Sequence, residues 1–247
     1  LASHRKNAKG WDITDAPTIA LMQSAREHLN PSYWQAQPLV ARFEGTLEAP
    51  HWVINPAVGG ERVGQVHMSS KEQVEAALQA APLGQAEWLA MPLAKRVACF
   101  EKAADLYEDN ATELFAILAK EAGKTWLDAV GELREAVDFC RYYAAQVLTL
   151  DPVSKPRGSV VAISPWNFPL AIFTGQIVAA LGAGNAVLAK PAEQTPRIAA
   201  AAIHLMHQAG VPHDALHLLC GTGASVGQTL TTAGRCDMVV FTGSTDT

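Results

Sequence analysis

The chain has 247 residues, 49% of them hydrophobic and 17% charged, which is ample material for a large core and shows no compositional sign of disorder. A formal net charge of −5 argues against a general nucleic-acid or anionic-membrane surface, because such surfaces rest on clustered Lys and Arg. Four cysteines without a C-x-x-C spacing point to a reducing, cytoplasmic setting rather than a disulfide framework.

Leu1 is not a Met, no signal peptide or targeting segment follows it, and the sequence stops at "FTGSTDT" straight after a strand-like run. Both ends read as cut, so the expectation is a piece of a longer protein. Residues 1–42 carry scattered Pro17, Pro31 and Pro38, with a short helix expected at 17–29; a linker or docking arm fits. From 51 to 68, two extended runs surround Gly59-Gly60, which is hairpin chemistry. A helix over 70–80 follows, with Ser70 as N-cap and Val74, Ala77 and Leu78 on one face.

The block 92–150 reads as helical, and 43–157 as the helical N-terminal part of a nucleotide-binding domain. Leu93, Val97, Phe100, Ala104 and Tyr107 form one apolar stripe. Asn110 with Glu113 predicts a capping box opening a second helix, closed by Gly123, and Thr125 with Asp128 repeats the device. Val130, Leu133, Val137, Cys140, Ala144 and Val147 stripe the third helix, before Pro152 and Pro156 end the block.

From Ser159 to Ala189, 31 residues contain no Asp, Glu, Lys or Arg. A spanning helix is rejected, because Pro165 and Pro169 flank Asn167, and Gly182, Gly184 and Asn185 break the second half. After Gly158 the pattern alternates: strand "SVVAIS", helix 169–181, strand "NAVLAK", helix 196–209, strand "LHLLC", a short helix 224–233 and strand "DMVVFT". This is βαβ grammar, so the fold class is α/β, a Rossmann-type parallel sheet with helices on both faces over 158–247. The loops Ser164–Phe168, Lys190–Thr195, Gly221–Gly227 and Thr242–Thr245 then share the carboxyl edge, where such sheets bind ligands.

Each motif has a plain alternative. "GTGASVG" (221–227) resembles a dinucleotide fingerprint with one residue too many, and a tight turn needing glycine is the competing account. Ser244 in "FTGST" sits where a helix start would favour phosphate, or is an ordinary cap. Lys190 and Glu193 in "KPAEQTP" suit a ribose, the carboxylate accepting from its hydroxyls and repelling a 2′-phosphate; a solvated charge pair is the alternative. All four cysteines read as small core residues. His204, His207, His213 and His217 lack the Cys or carboxylate partners of a metal site, and none is expected.

Together "SPWNFPL", "GNAVLAKPAEQTP" and "FTGST", in this order, closely resemble the aldehyde dehydrogenase superfamily over about residues 43–247. The finer wording of 163–196 is similar to the L-glutamate-γ-semialdehyde (Δ1-pyrroline-5-carboxylate) dehydrogenase module of bacterial proline-utilisation proteins. There a flavin (FAD) proline dehydrogenase lies upstream, and the arm 1–42 looks like the connection to such a module. The resemblance implies that Asn167 stabilises the oxyanion formed when a cysteine thiolate adds to a small-molecule aldehyde, with Pro165 and Pro169 fixing its loop. It further implies NAD as cofactor: Ile163, Pro165 and Trp166 lining the cleft, Lys190 and Glu193 at the adenosine ribose, Ser244 at the pyrophosphate, and Gly223 and Gly227 near the adenine. Glu193 favours NAD over NADP. A homo-oligomer is implied for the full protein. The family's nucleophilic Cys and base Glu fall after the "FTGST" match, so the chain is expected to be truncated before the catalytic domain and inactive alone. A different aldehyde substrate, or a non-catalytic nucleotide-binding module, are the competing readings.

Overall fold

The computed structural model describes residues 5–29, 35–150 and 154–245; Pro31, Pro152 and the final Asp246-Thr247 of the motifs above lie outside them. Helix α1 (Ala16–Glu27) starts at Asp15, whose carboxylate accepts from Thr18 N, with Pro17 in the first turn. Strands β1 (Pro50–Ile54) and β2 (Arg62–His67) form the expected antiparallel hairpin, and Gly60 supplies the positive φ (+79°) its turn requires.

Helix α2 (Lys71–Ala90) opens with a full capping box: Ser70 Oγ accepts from Gln73 N, and Gln73 Oε1 accepts from Ser70 N. It runs ten residues past the predicted end at 80, straight through Pro82. Packing overrides propensity here. Trp88 is fully buried, and its indole N–H donates to Leu181 O at 2.7 Å, so the second half of the helix is fixed from outside. Gly84 lets this half pass directly over the backbone of Asp214 and Ala215, where a Cβ would overlap it.

Helices α3 (Leu93–Asp109), α4 (Ala111–Glu121) and α5 (Trp126–Val147) make the helical layer. All six stripe residues of α5 are buried, as are those of α3 except Leu93. Thr125 caps α5 by accepting from Asp128 N, and Gly123 takes φ +65° between the helices. The box predicted at Asn110 does not form. With a single residue between α3 and α4, the Asn110 amide turns back to donate to Leu106 O at 2.8 Å and closes α3 instead. The arm is docked rather than loose: Asp138 accepts from Ala8 N, Glu108 accepts from Lys9 N, and buried Arg141 donates to Asn7 O. Trp11 meets Phe115 edge-on at 5.2 Å.

Strands β3 (Ser159–Ile163), β4 (Ala186–Lys190), β5 (Leu216–Leu218) and β6 (Met238–Phe241) form a parallel sheet in the order β5-β4-β3-β6. Helices α6 (Ala171–Gly182) and α7 (Pro196–Gln208) connect β3 to β4 and β4 to β5. The predicted short helix resolves into a π-helical turn, Gly223–Gly227, followed by α8 (Gln228–Thr232). Strand periodicity divides the core in two. Val160, Ala162, Val187 and Ala189 pack with α6 and α7, while Val161, Leu188 and Ala186 pack with Val74, Ala77 and Leu78 of α2 and Leu230 of α8. Leu39 pairs with Leu218 through both backbone groups and covers the β5 edge. On the other side β6 is largely exposed, above a groove of about 540 Å³ bordered by Phe139, Tyr143, Ile172 and Val240.

The N-terminus of α7 is capped from α4: Glu121, fully buried, accepts from Arg197 N and Ile198 N at 2.8 and 2.9 Å. Burial raises its carboxyl from the ordinary 4.5 to about 7, against the pull of the two N–H groups and Arg197.

Two outcomes follow from these contacts. Gly84→Ala should destabilise the chain by about 1–3 kcal/mol or more, because the obstructing atoms are backbone; urea denaturation measures it. Glu121 favours the fold when protonated, so its contribution is complete below 4.5 and lost as pH rises through about 7. Glu121→Gln should therefore lose less stability than the parent chain across that window. Comparing the two cancels the opposite trend of buried His207 and His217, whose pKa values burial lowers to about 4.

Candidate active site

The strands end level. Ile163 pairs with Lys190 on one side and with Phe241 on the other, so the loops after β3, β4 and β6 leave from one edge. Gln176 of α6 laces two of them together, its amide donating to Ile163 O at 3.2 Å and to Thr242 Oγ1 at 2.9 Å. Ser164 N continues the ladder by donating to Lys190 O.

The loop after β3 displays what the rest of its charge-free stretch hides. Trp166 is 58% and Phe168 41% exposed, on either side of exposed Asn167, whereas Leu170 and Phe173 just beyond are fully buried. Proline geometry sets the frame at Pro165 and Pro169. The remaining hold comes from the helical layer. Lys124 Nζ donates to Asn167 O at 2.5 Å, lies 3.1 Å from Glu132 Oε1, and sits 4.5 Å from the centre of the Phe168 ring. Glu132 Oε2 accepts from Leu170 N at 3.2 Å and Ala171 N at 2.9 Å, capping α6. Burial raises the Glu132 carboxyl; the two backbone N–H groups and Lys124 oppose it.

Beyond β4, Lys190 is buried and donates to Pro191 O at 3.1 Å; burial lowers its pKa, with neighbouring Glu193 pulling the other way. Glu193 itself is exposed on the same loop. A Cβ built on Gly227 would rest in ordinary contact, 3.5 Å from Lys190 Cε, so the glycine loop lies against this lysine. Gly223 has no protein atom within 4 Å of its added Cβ. The tight-turn account holds for Gly221, where Val226 fills the space, and not for these two. Thr222 caps the π-helical turn, accepting from Ser225 N at 3.0 Å. Ser244 is exposed beyond β6, and no helix starts there among the described residues.

The edge thus gathers Asn167, Lys190, Glu193 and Ser244, with Gly227 against Lys190, while Ile163 and Pro165 are half-buried at the base of the exposed loop. Sequence reasoning missed Lys124, Glu132 and Gln176. For Glu132 a signal existed: a carboxylate on the same helix face as Ala129, Leu133 and Ala136, all fully buried.

Burial pushes the Cys140 and Cys220 thiols up to about 12 and raises Cys99 and Cys236, so none of the four has thiolate character. His207 stacks on His213 and pairs with Val211 O, and His217 pairs with Asp214 O, which ties down the α7–β5 connection. Among the described residues no three metal-type ligands come together, and no helix is long and apolar enough to cross a membrane.

The bifunctional protein PutA of Escherichia coli K12 is 47% identical over 244 residues, covering 98% of this chain and 18% of that protein. The 1-pyrroline-5-carboxylate dehydrogenase of Anoxybacillus flavithermus is 39% identical over 227 residues, covering 86% of the chain and 44% of the enzyme. A crystal structure of 1-pyrroline-5-carboxylate dehydrogenase from Thermus with bound NAD superposes with a TM-score of 0.87 at 30% identity, over 95% of this chain and 48% of that one. The chain therefore spans less than half the length of each of these relatives. A family model described as the aldehyde dehydrogenase family matches residues 44–247. The chain belongs to the aldehyde dehydrogenase family.

Proposed function

We propose that this chain is the cofactor-binding portion of an NAD-dependent dehydrogenase that oxidises L-glutamate γ-semialdehyde to L-glutamate, the second step of proline catabolism. The observation that carries the reading is Asn167: a carboxamide held out between exposed aromatics, at the carboxyl edge of a parallel sheet, on the strand next to the one ending in Lys190. Relatives named as 1-pyrroline-5-carboxylate dehydrogenases and PutA proteins supply the substrate class.

NAD fits the residues present. Gly223 leaves space that the protein's own atoms do not fill, and Lys190, against which Gly227 lies, is a buried ammonium with one backbone acceptor, leaving donors for ribose hydroxyls. Glu193 would accept from the same hydroxyls and reject a 2′-phosphate, Ser244 would serve the pyrophosphate, and Ile163, Pro165 and Trp166 would line the cleft. When bound, NAD supplies the hydride acceptor.

Asn167 acts on the aldehyde. Its Nδ2 donates to the carbonyl oxygen as negative charge gathers there during thiolate attack, in a setting where a fixed dipole outperforms reorganising water. The thiolate and the glutamate base that activates water for release of the acid come, in this reading, from polypeptide outside the 247 residues; burial raises the pKa of all four thiols present here. The chain alone then binds NAD without oxidising aldehyde. An upstream FAD-dependent proline dehydrogenase and a homo-oligomeric assembly belong to the same reading of the parent protein.

The test is NADH formation from glutamate semialdehyde by the full-length polypeptide; no reaction there would sink the proposal. Asn167→Ala should lower kcat about 100–1000-fold while NAD affinity, followed by calorimetry, stays unchanged. Glu193→Ala should narrow the preference for NAD over NADP, measured as the ratio of the two kcat/KM values.

A further inference from the structure

We infer that Lys124 and Glu132 are positioning residues for Asn167, a single ion pair that fixes the peptide carrying the oxyanion donor. The inference rests on the function proposed above and adds to it the parts that aim the carboxamide.

The Asn167 side chain makes no hydrogen bond with the described residues, so its aim depends on its backbone. Pro165 and Pro169 fix their own φ values, which leaves the 167–168 peptide free to rotate. That rotation is blocked by the bond from Lys124 Nζ to Asn167 O. On the far side of Pro169, the Leu170 and Ala171 N–H groups are held by Glu132, the carboxylate paired with the same lysine. Segment 167–171 is thus gripped at three backbone groups by two side chains.

The grip is rigid for two reasons. The Glu132 side chain is completely buried and that of Lys124 only 14% exposed, so the pair is not an exchanging surface contact. Lys124 Nζ is also enclosed on three sides, by the carbonyl it donates to, by Glu132 Oε1 at ion-pair distance and by the Phe168 ring face. Glu132 in turn is seated on the N-terminus of α6, where backbone N–H groups and the helix dipole favour a negative charge. The chain of contacts runs from the α6 helix start to Glu132, to Lys124, and to the peptide of Asn167.

The experiment uses the full-length polypeptide with Lys124→Met, Asn167→Ala and the double variant. Misplacing a catalytic group by about 1 Å costs on the order of 100-fold, so Lys124→Met should lower kcat about 10–100-fold. NAD affinity should not change. In the Asn167→Ala background the same substitution should cost no more than about threefold, because the group it positions is gone. An unchanged kcat in folded Lys124→Met, or an equal loss with and without the Asn167 amide, overturns the inference. If Lys124→Met does not fold, isosteric Glu132→Gln takes its place in the same cycle, with the same two outcomes deciding. An inactive parent enzyme overturns the functional reading and this inference with it; an active parent with indifferent variants overturns the inference alone.

Discussion

A helix start exposes backbone N–H groups with no partner of their own, and a helix whose start is buried must find acceptors elsewhere. In this chain α6 and α7 find them in Glu132 and Glu121, each accepting two N–H groups of a first turn. Both carboxylates come from the layer α4–α5, so the same contacts that satisfy the sheet's crossover helices also lock that layer in register against them. A carboxylate removed from water is costly unless paired and hydrogen-bonded. Here the partners differ, and with them the outcome. Glu121 sits with Arg197 of the very helix it caps, a closed arrangement within the core. Glu132 shares its charge with Lys124, whose remaining contacts reach outward to the Asn167 loop, so one of the two caps extends to the sheet edge.

Much of this architecture was legible because its causes are local. Alternating strands and helices after Gly158, the stripes of α3 and α5, and the caps at Ser70 and Thr125 depend on spacing a few residues long. What was not legible depends on groups far apart in the chain. The helix predicted over 70–80 continues as α2 to Ala90, because Trp88 has an acceptor at Leu181 and Gly84 has a backbone to pass. Asn110 matched a capping box in letters, but a one-residue connection gave its amide a closer acceptor behind it.

The site divides along the same line. Its loops follow from parallel topology alone, since every strand's carboxyl end must lie on one edge. The glycines were ambiguous in sequence, and space decides between them: Gly221 is required by Val226, while Gly223 and Gly227 are not required by the protein's own packing. Lys124 and Glu132 carried no motif, because their meaning comes from a tertiary contact with a loop some 40 residues on.

The covering of the β5 edge has a consequence for how the molecule is made. Leu39 and Leu218 are far apart in the sequence, as are Asn7 and Arg141. Such pairings carry the largest loop-closure entropy in the fold and are the slowest kind to form. During synthesis the arm leaves the ribosome before the elements it docks on, and has no surface to bind until α5, and no strand edge to close until β5, has followed it. It is therefore made before the elements it binds and settles after them. Until it does, the newly formed β5 remains an open template for any other strand in the cell.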